Sequence, residues 1–239
     1  MNEQPIKIAI LDSVPKFHWR DDNGVTDGQK FVDLLAPENV NAKFDIFYVS
    51  EYEFPDIIES YDGYLLTGSP VSVHDNHDWI KMLSEFVGQA DNKNKPIVGV
   101  CFGHQLIAKY FGGVVGNNEK GWMIGSFPLE IKKKFPWMKN TLDTTDLYHF
   151  NKERVTKLPE GAISFASTKD YPDFAYTLGN NIACLQGHPE QPKRAMYNFL
   201  EVTKKVLTEK ELENAKLRIE NGKSDSSIWA QWIMEFFYS

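Results

Sequence analysis

Short apolar runs alternate with segments of helical periodicity along the first half of the chain, and this order restricts the fold more than any other feature. The runs predict strands at 7–13, 43–50, 63–68 and 96–101. Apolar residues at helical spacing follow them at 26–38, 79–87 and 105–111. Because strands that alternate with helices form parallel sheets with right-handed crossovers, the pattern predicts an α/β domain.

The second half of the chain changes character. Short strands separated by turns are predicted at 125–131, 146–150, 162–168, 174–178 and 181–186, and an amphipathic helix follows at 193–207. Beyond residue 208, an apolar stripe predicts one or two further helices; it consists of Trp229, Trp232, Ile233, Phe236 and Phe237. We therefore predict a mostly parallel central sheet flanked by helices. The predicted domain covers residues 1–207, and residues 208–239 form a C-terminal helical extension packed on it.

Charge and composition exclude several classes of protein. The net charge of -7 argues against a nucleic acid or an anionic membrane surface as the main partner. No apolar run approaches the roughly 18 residues that span a bilayer, and the polar N-terminus shows no secretory signal. The two cysteines do not make a disulfide framework and lack the spacing of a zinc site. These features predict a cytoplasmic protein.

A cysteine stands where the fourth predicted strand turns into a helix. Cys101 is flanked two residues away on each side by Gly99 and Gly103, which is the cysteine form of a nucleophile elbow. Such a turn projects the side chain from the carboxyl edge of the sheet, and the helix N-terminus favours the reactive thiolate. The amide of Phe102 then faces the position of an oxyanion. Cys184, inside an apolar strand, is interpreted as a structural cysteine.

A base and a group to orient it follow the last short strand. His188 and Glu190 are separated by Pro189, which fixes the backbone between them. In extended chain, residues two apart point the same way, so the carboxylate can hold the imidazole and support the imidazolium. The sequence therefore predicts a triad of Cys101, His188 and Glu190.

Two other features invite alternative roles. His104 is a rival base, but its place on the helix after the elbow predicts that its side chain turns away from the sulfur. The histidines and acids of 74–78 have the composition of a metal cluster. Their order predicts instead a loop and a helix N-cap, with Asp75 or Asn76 near the helix start. We predict no metal site.

The two motifs together resemble the class I glutamine amidotransferases. The resemblance rests on 99–105 (GVCFGHQ) followed by 186–190 (QGHPE), and it extends in the right order over nearly all of residues 6 to about 200. The segment 67–72 (TGSPVS) is similar to the oxyanion-side loop of the family, but Ser69 stands in place of the second glycine. Residues 148–150 lie where the family has a strand beside the glutamine. The resemblance implies a flavodoxin-like sheet of the class I amidotransferase type.

The resemblance also implies a role for each matching residue. Cys101 would attack the side-chain amide carbon of glutamine, with His188 as base and then acid and Glu190 orienting it. The remaining residues would bind the oxyanion or the substrate: Phe102 and either Gly68 or Ser69 would form the oxyanion hole, and Gln105 and His149 would contact the glutamine. No metal or organic cofactor is implied for this half-reaction.

The sequence leaves the physiological reaction open. Members of the family supply ammonia to a synthetase. Because the chain contains no GxxxxGK[ST] phosphate-binding loop, one interpretation is that the synthetase is a separate partner protein. The chain resembles stand-alone members of the family that are similar to the amidotransferase domain of GMP synthase. The alternatives are a stand-alone γ-glutamyl peptide hydrolase and a non-catalytic binding module. The long loop 14–24, with Phe17, His18, Trp19 and Arg20, is a candidate contact for a leaving group. In either catalytic case the substrate is a small molecule, glutamine or a γ-glutamyl compound.

Overall fold

The computed structural model describes residues 5–18, 24–38 and 41–239. The strands in these ranges are β1 (Ile6–Asp12), β2 (Ala42–Tyr48), β3 (Gly63–Leu66), β4 (Ile97–Val100), β5 (Val114–Asn117), β6 (Met123–Ile131), β7 (Thr144–Asn151), β8 (Glu153–Lys157), β9 (Ile163–Thr168), β10 (Tyr171–Leu178) and β11 (Ile182–Leu185). The α-helices are α1 (Asp27–Leu35), α2 (Asp78–Asn92), α3 (Phe102–Tyr110), α4 (Lys193–Thr203), α5 (Glu209–Asn221) and α6 (Ser226–Phe237). Within the described ranges, none of these helices has the length and apolarity needed to cross a bilayer.

One nine-stranded sheet forms the centre of the molecule. Its order is β2-β1-β3-β4-β11-β10-β9-β6-β7. The strands from β2 to β11 pair in parallel, and the strands from β10 to β7 add to β11 in antiparallel pairs. β11 lies beside β4, with Ile182 opposite Ile97 and Leu185 opposite Val100. The predicted fold class, a mostly parallel sheet flanked by helices with further helices at the C-terminus, is confirmed.

The first helix shows why the sequence pattern predicts the parallel half well. Thr26 is the N-cap of α1, and its hydroxyl accepts a hydrogen bond from the amide of Gln29 at 3.2 Å. The helix buries Phe31 and Leu35 against the sheet and then tightens into a 3-10 turn at Ala36–Glu38, which contains the proline. Local signals therefore define both ends of this element.

The structure also contains a small sheet that the sequence does not predict. β5 and β8 pair in an antiparallel two-stranded sheet, with Val115 opposite Val155. β8 is mostly polar and lacks a clear alternation, so its sequence carries no strand signal of its own. The predicted helix at 193–207 is also shorter, because α4 ends at Thr203 and a 3-10 turn covers Lys204–Val206.

The C-terminal helices complete the main core. α5 packs on β6 and α4, and α6 packs on α1. The indole rings of Trp229 and Trp232 are almost fully buried, in one core cluster with Cys101. A methyl group placed on Gly63 would lie 2.5 Å from Cδ1 of Phe237, so the end of α6 lies directly against the start of β3. The division of the chain into residues 1–207 and an extension at 208–239 stays a prediction.

We expect Trp229→Ala to destabilise the fold strongly. The indole is 2% exposed, and its Nε1–H donates to the Thr145 hydroxyl at 3.1 Å. Removing a buried tryptophan of this kind costs about 3–5 kcal/mol. Urea unfolding of the variant measures this loss. Val202→Ala on α4 is the control, since Val202 is 76% exposed and its truncation should change the free energy of unfolding by less than about 0.5 kcal/mol. Equal stability of the two variants would contradict the role of α6 in the core.

Candidate active site

Cys101 occupies a strained turn between β4 and α3. Its backbone has φ 52° and ψ -100°, a region that costs a side-chain-bearing residue about 1–3 kcal/mol. Two hydrogen bonds hold it there: its amide donates to the carbonyl of Leu185 at 2.9 Å, and its carbonyl accepts from the amide of Gln105 at 3.0 Å. The turn places the sulfur at the N-terminus of α3 and at the carboxyl edge of the sheet.

The two glycines around Cys101 are required by close packing. A methyl group on Gly103 would lie 2.6 Å from Cβ of Leu66 and 2.8 Å from its carbonyl oxygen. A methyl group on Gly99 would lie 2.6 Å from Cδ1 of Ile107. Both contacts are shorter than real carbon contacts allow, so α3 can approach the sheet only because these residues lack side chains. The packing of the elbow agrees with its sequence pattern.

His188 and Glu190 form a buried pair. Nδ1 of His188 lies 2.7 Å from Oε1 of Glu190, and the His188 amide donates to the carbonyl of Tyr148 at 2.8 Å. Burial lowers the pKa of His188, but the charges of Glu190 and then Cys101 outweigh it, so the pKa lies well above its ordinary value. The imidazole with Nδ1–H toward Glu190 leaves Nε2 for a second partner.

The loop after β3 closes on the same place. A methyl group on Gly68 would lie 3.1 Å from Cε1 of His188 and 3.6 Å from Cβ of Cys101, so the loop backbone borders both side chains. The Ser69 hydroxyl donates to the carbonyl of Ser13 at 2.7 Å. Where the family pattern has a second glycine, this chain therefore has a side chain that ties the loop to the end of β1. Phe102, the first residue of α3, is buried beside them.

Gln105 and His149, the two predicted substrate contacts, are enclosed by protein. Nε2 of Gln105 donates to the carbonyl of Glu153 at 2.9 Å and to Oε1 of Gln186 at 3.0 Å. The His149 ring is fully buried, with its centroid 4.6 Å from that of Phe174. Burial, followed by the charge of His188, lowers the His149 pKa to about 3. Both substrate-binding roles stay predictions.

His104, the rival base, packs away in the core. Its ring centroid lies 4.9 Å from that of Tyr176, whose hydroxyl donates to the His104 carbonyl at 2.9 Å. Burial lowers the pKa of His104 to about 3, so the ring is neutral at physiological pH. The ring faces an aromatic side chain rather than an acid that would support its charge.

The segment 74–78 is tied into the fold by hydrogen bonds. His74 Nε2 lies 3.1 Å from the carbonyl of Val115, and Oδ2 of Asp75 accepts from the Ser72 amide at 3.0 Å. The N-cap of α2 is His77, rather than Asp75 or Asn76, and it makes no side-chain capping bond. In the loop after β1, Phe17 is exposed, while Trp19 and Arg20 lie outside the described residues.

Sequence reasoning missed one buried acid at the edge of the sheet. Asp12 ends β1, and its carboxylate accepts from the amides of Gly28 at 2.7 Å and Val14 at 3.0 Å. Burial, and then the charge of Asp27, raises the pKa of Asp12 to about 6. Its position at the end of a buried strand is the same signal that identifies Cys101, so the sequence contained a clue to it.

Comparison with known proteins gives consistent matches. Residues 29–203 match the family "Glutamine amidotransferase class-I". Gamma-glutamyl peptidase 3 of Arabidopsis thaliana is 28% identical over 216 residues, which cover 86% of each chain. A glutamine amidotransferase-like protein of Schizosaccharomyces pombe is 30% identical over 79% of this chain and 75% of its own. GMP synthase of Wolbachia pipientis is 28% identical over 85% of this chain but 42% of its own.

Solved structures agree on the fold. A glutamine amidotransferase from Thermotoga maritima superposes with a TM-score of 0.75 over 99% of this chain and 97% of that chain, at 20% identity. One from Methylobacillus flagellatus gives 0.74 over 98% and 93%, also at 20% identity. At this identity the likeness establishes the architecture, and the chemistry rests on the site.

An electrophilic glutamine analogue should label Cys101 and leave Cys184 unmodified. Burial raises the pKa of the Cys184 thiol to about 12, so this cysteine stays protonated and unreactive. Peptide mass spectrometry of the treated protein locates the label, and Cys101→Ser is the matched control that should take up none. A label on Cys184 in the native protein would refute the assignment.

Gly103→Ala should disrupt the elbow, whereas Gly116→Ala should be tolerated. The added methyl at residue 103 would meet Leu66 at 2.6 Å, and overpacking of this kind costs about 1–3 kcal/mol. At residue 116 the methyl would meet Cγ2 of Thr156 at 3.6 Å, an ordinary contact. Urea unfolding and the rate of Cys101 labelling should both change at residue 103 and stay close to wild type at residue 116. Unchanged stability and labelling in Gly103→Ala would show that the packing is not tight.

Proposed function

The chain belongs to the class I glutamine amidotransferase family, and on that premise we propose that it is a cysteine-dependent hydrolase of γ-glutamyl amide bonds. The observation that carries the proposal is the buried pair of His188 and Glu190, 2.7 Å apart, beside a cysteine whose backbone has a strained positive φ. A non-catalytic binding module has no need for such a strained cysteine or for a buried charge pair. The triad residues therefore receive catalytic roles.

In the first step, the sulfur of Cys101 attacks the γ-carbonyl carbon of the substrate. The carbonyl π electrons move to oxygen, where the Phe102 amide and an amide of the Gly68–Ser69 turn stabilise the negative charge. His188 donates its Nε2 proton to the leaving nitrogen as the C–N bond breaks. Ammonia or an amine leaves, and a γ-glutamyl thioester remains on Cys101.

In the second step, water hydrolyses the thioester. Neutral His188 accepts a proton from the water as its oxygen attacks the thioester carbon, and the C–S bond then breaks. The products are glutamate and the thiolate, and His188 again carries the proton. Glu190 keeps the imidazole oriented and supports its positive charge in both steps.

Electrostatics favour the starting state of this cycle. The sulfur lies at the N-terminus of α3, where the helix dipole favours an anion. The charges of Glu190 and Cys101 keep the pKa of His188 well above its ordinary value, although burial opposes them. A thiolate with an imidazolium beside it is a competent nucleophile with a ready proton donor.

We propose γ-glutamyl peptides as the preferred substrates over glutamine. The likeness to the gamma-glutamyl peptidase runs over 86% of both chains, whereas the likeness to GMP synthase covers 42% of that protein. A peptidase needs no synthetase to receive its product, so the proposed hydrolase works alone. The second candidate is an amidotransferase subunit that is activated by a separate synthetase.

The purified chain should release glutamate from γ-glutamyl dipeptides more efficiently than from glutamine. The test compares kcat/KM across glutamine and a panel of γ-glutamyl dipeptides, with α-glutamyl dipeptides of the same composition as controls. Release that appears only after a partner protein is added would favour the amidotransferase subunit. Release that persists in Cys101→Ala would refute the proposed nucleophile.

The triad variants should differ in a defined order. Cys101→Ala and His188→Ala should each lower kcat by at least about 10⁴, and Glu190→Ala should lower it less, since an orienting carboxylate is partly replaceable. His104→Gln is the control for the rival base, because in the described residues neither of its ring nitrogens has a hydrogen-bond partner. If His104→Gln lost activity at unchanged stability while His188→Ala remained active, His188 would not be the base.

A further inference from the structure

Several hydrogen bonds anchor the loop beside the nucleophile, residues 67–75, to the fold, and two of them come from serine hydroxyls. We name it the oxyanion loop. Its first anchor is the hydrogen bond from the Ser69 hydroxyl to the carbonyl of Ser13. Its second anchor is a bond from the Ser72 hydroxyl to Oε2 of Glu153, at 2.7 Å. Glu153 is the first residue of β8, in the two-stranded sheet that the sequence does not predict.

The backbone of Glu153 contacts the other parts of the site. Its carbonyl accepts from Nε2 of Gln105 at 2.9 Å and from Nδ2 of Asn151 at 3.1 Å. Gln105 follows Cys101 by one helical turn and also donates to Oε1 of Gln186, two residues before His188. Glu153 thus bonds directly to the oxyanion loop and to the helix that follows the nucleophile, and Gln105 links that helix to the strand end that leads to the base.

Building on the proposed function, we propose that Glu153 is a positioning residue that fixes the oxyanion loop against Cys101. Its carboxylate accepts a short, charge-assisted hydrogen bond, which is stronger and more directional than a bond between neutral groups. Donors to an oxyanion stabilise the transition state only at about 2.7–3.1 Å from the oxygen, so a small shift of the loop removes much of their effect.

The loop and the small sheet each have hydrogen bonds that do not involve the Glu153 side chain, so a positioning role can be distinguished from a general contribution to stability. The oxyanion loop has internal bonds of its own, from the Ser72 amide to Asp75 at 3.0 Å and from the His74 amide to the Ser72 hydroxyl at 3.1 Å. The two-stranded sheet keeps its backbone pairs whatever side chain stands at residue 153. Loss of the carboxylate should therefore loosen the loop around Ser72, while the fold and the bonds from Ser69 to Ser13 and between His74 and Val115 persist.

The test measures kcat and KM of Glu153 variants on the best γ-glutamyl dipeptide. We expect Glu153→Ala to lower kcat about tenfold, less than the 10²–10³ lost with an oxyanion donor, and to change KM less than about twofold. Glu153→Gln should recover most of the loss, because its amide oxygen still accepts from the Ser72 hydroxyl. Alkylation of Cys101 by iodoacetamide should keep its wild-type rate in both variants, since displacement at a saturated carbon develops no oxyanion.

Two further variants sharpen the result. Thr156→Ala is the matched control, because it removes a hydrogen bond to the Val114 carbonyl in the same small sheet without touching the oxyanion loop. Ser72→Ala should lower kcat less in Glu153→Ala than in the wild type, because both changes remove the bond between Ser72 and Glu153, and Ser72→Ala also removes the acceptor of the His74 amide.

The outcomes are decisive in either direction. The inference fails if Glu153→Ala keeps wild-type kcat, if Glu153→Gln is no better than Glu153→Ala, or if alkylation of Cys101 slows in parallel with turnover. An equal loss of kcat in Thr156→Ala would show that general loosening of the small sheet causes the effect, and it would also overturn the inference. A wild-type chain without Cys101-dependent turnover would instead remove the proposed function on which the inference rests.

Discussion

The strained, positive-φ backbone of Cys101 is the constraint on which the rest of the site depends. A residue with a side chain is strained in that conformation, so its neighbours must hold it in place. β11 supplies the carbonyl of Leu185, and Gly103 lets α3 press against Leu66. Because β3, β4 and β11 are neighbouring parallel strands, their carboxyl ends lie together at one edge of the sheet. The oxyanion loop, the cysteine and the histidine each follow one of those strand ends.

Burial acts on three histidines of this protein with different results. His104 and His149 are fully buried, and burial lowers the pKa of each to about 3. His188 is buried as well, yet its pKa lies well above the ordinary value because Glu190 and Cys101 surround it with negative charge. Position in the core therefore does not decide the charge of a histidine. The carboxylate of Glu190, 2.7 Å from Nδ1 of His188, distinguishes the proposed catalytic histidine from the two others.

Local patterns predicted the parts of the structure whose causes are local. The strands of the parallel half, the helix that begins near Thr26 and the elbow glycines all follow from residues close in the chain. The two-stranded sheet could not be predicted, since β8 is polar and gains order by pairing with the distant β5. The same holds for the bonds from Ser69 to Ser13 and from Ser72 to Glu153, because each joins segments that the sequence keeps far apart.

The central place of β11 makes assembly of the proposed active site depend on when this strand joins the sheet. β11 lies between β4 and β10 and joins the parallel half of the sheet to the antiparallel half, although β4 precedes it by many residues. Pairing between strands so far apart in the sequence forms late, because closing the long intervening loop costs entropy before the strand contacts can offset it. Until β11 pairs with β4, the proposed base His188 is not held beside Cys101. We therefore expect the proposed active site to form only when β11 joins the sheet.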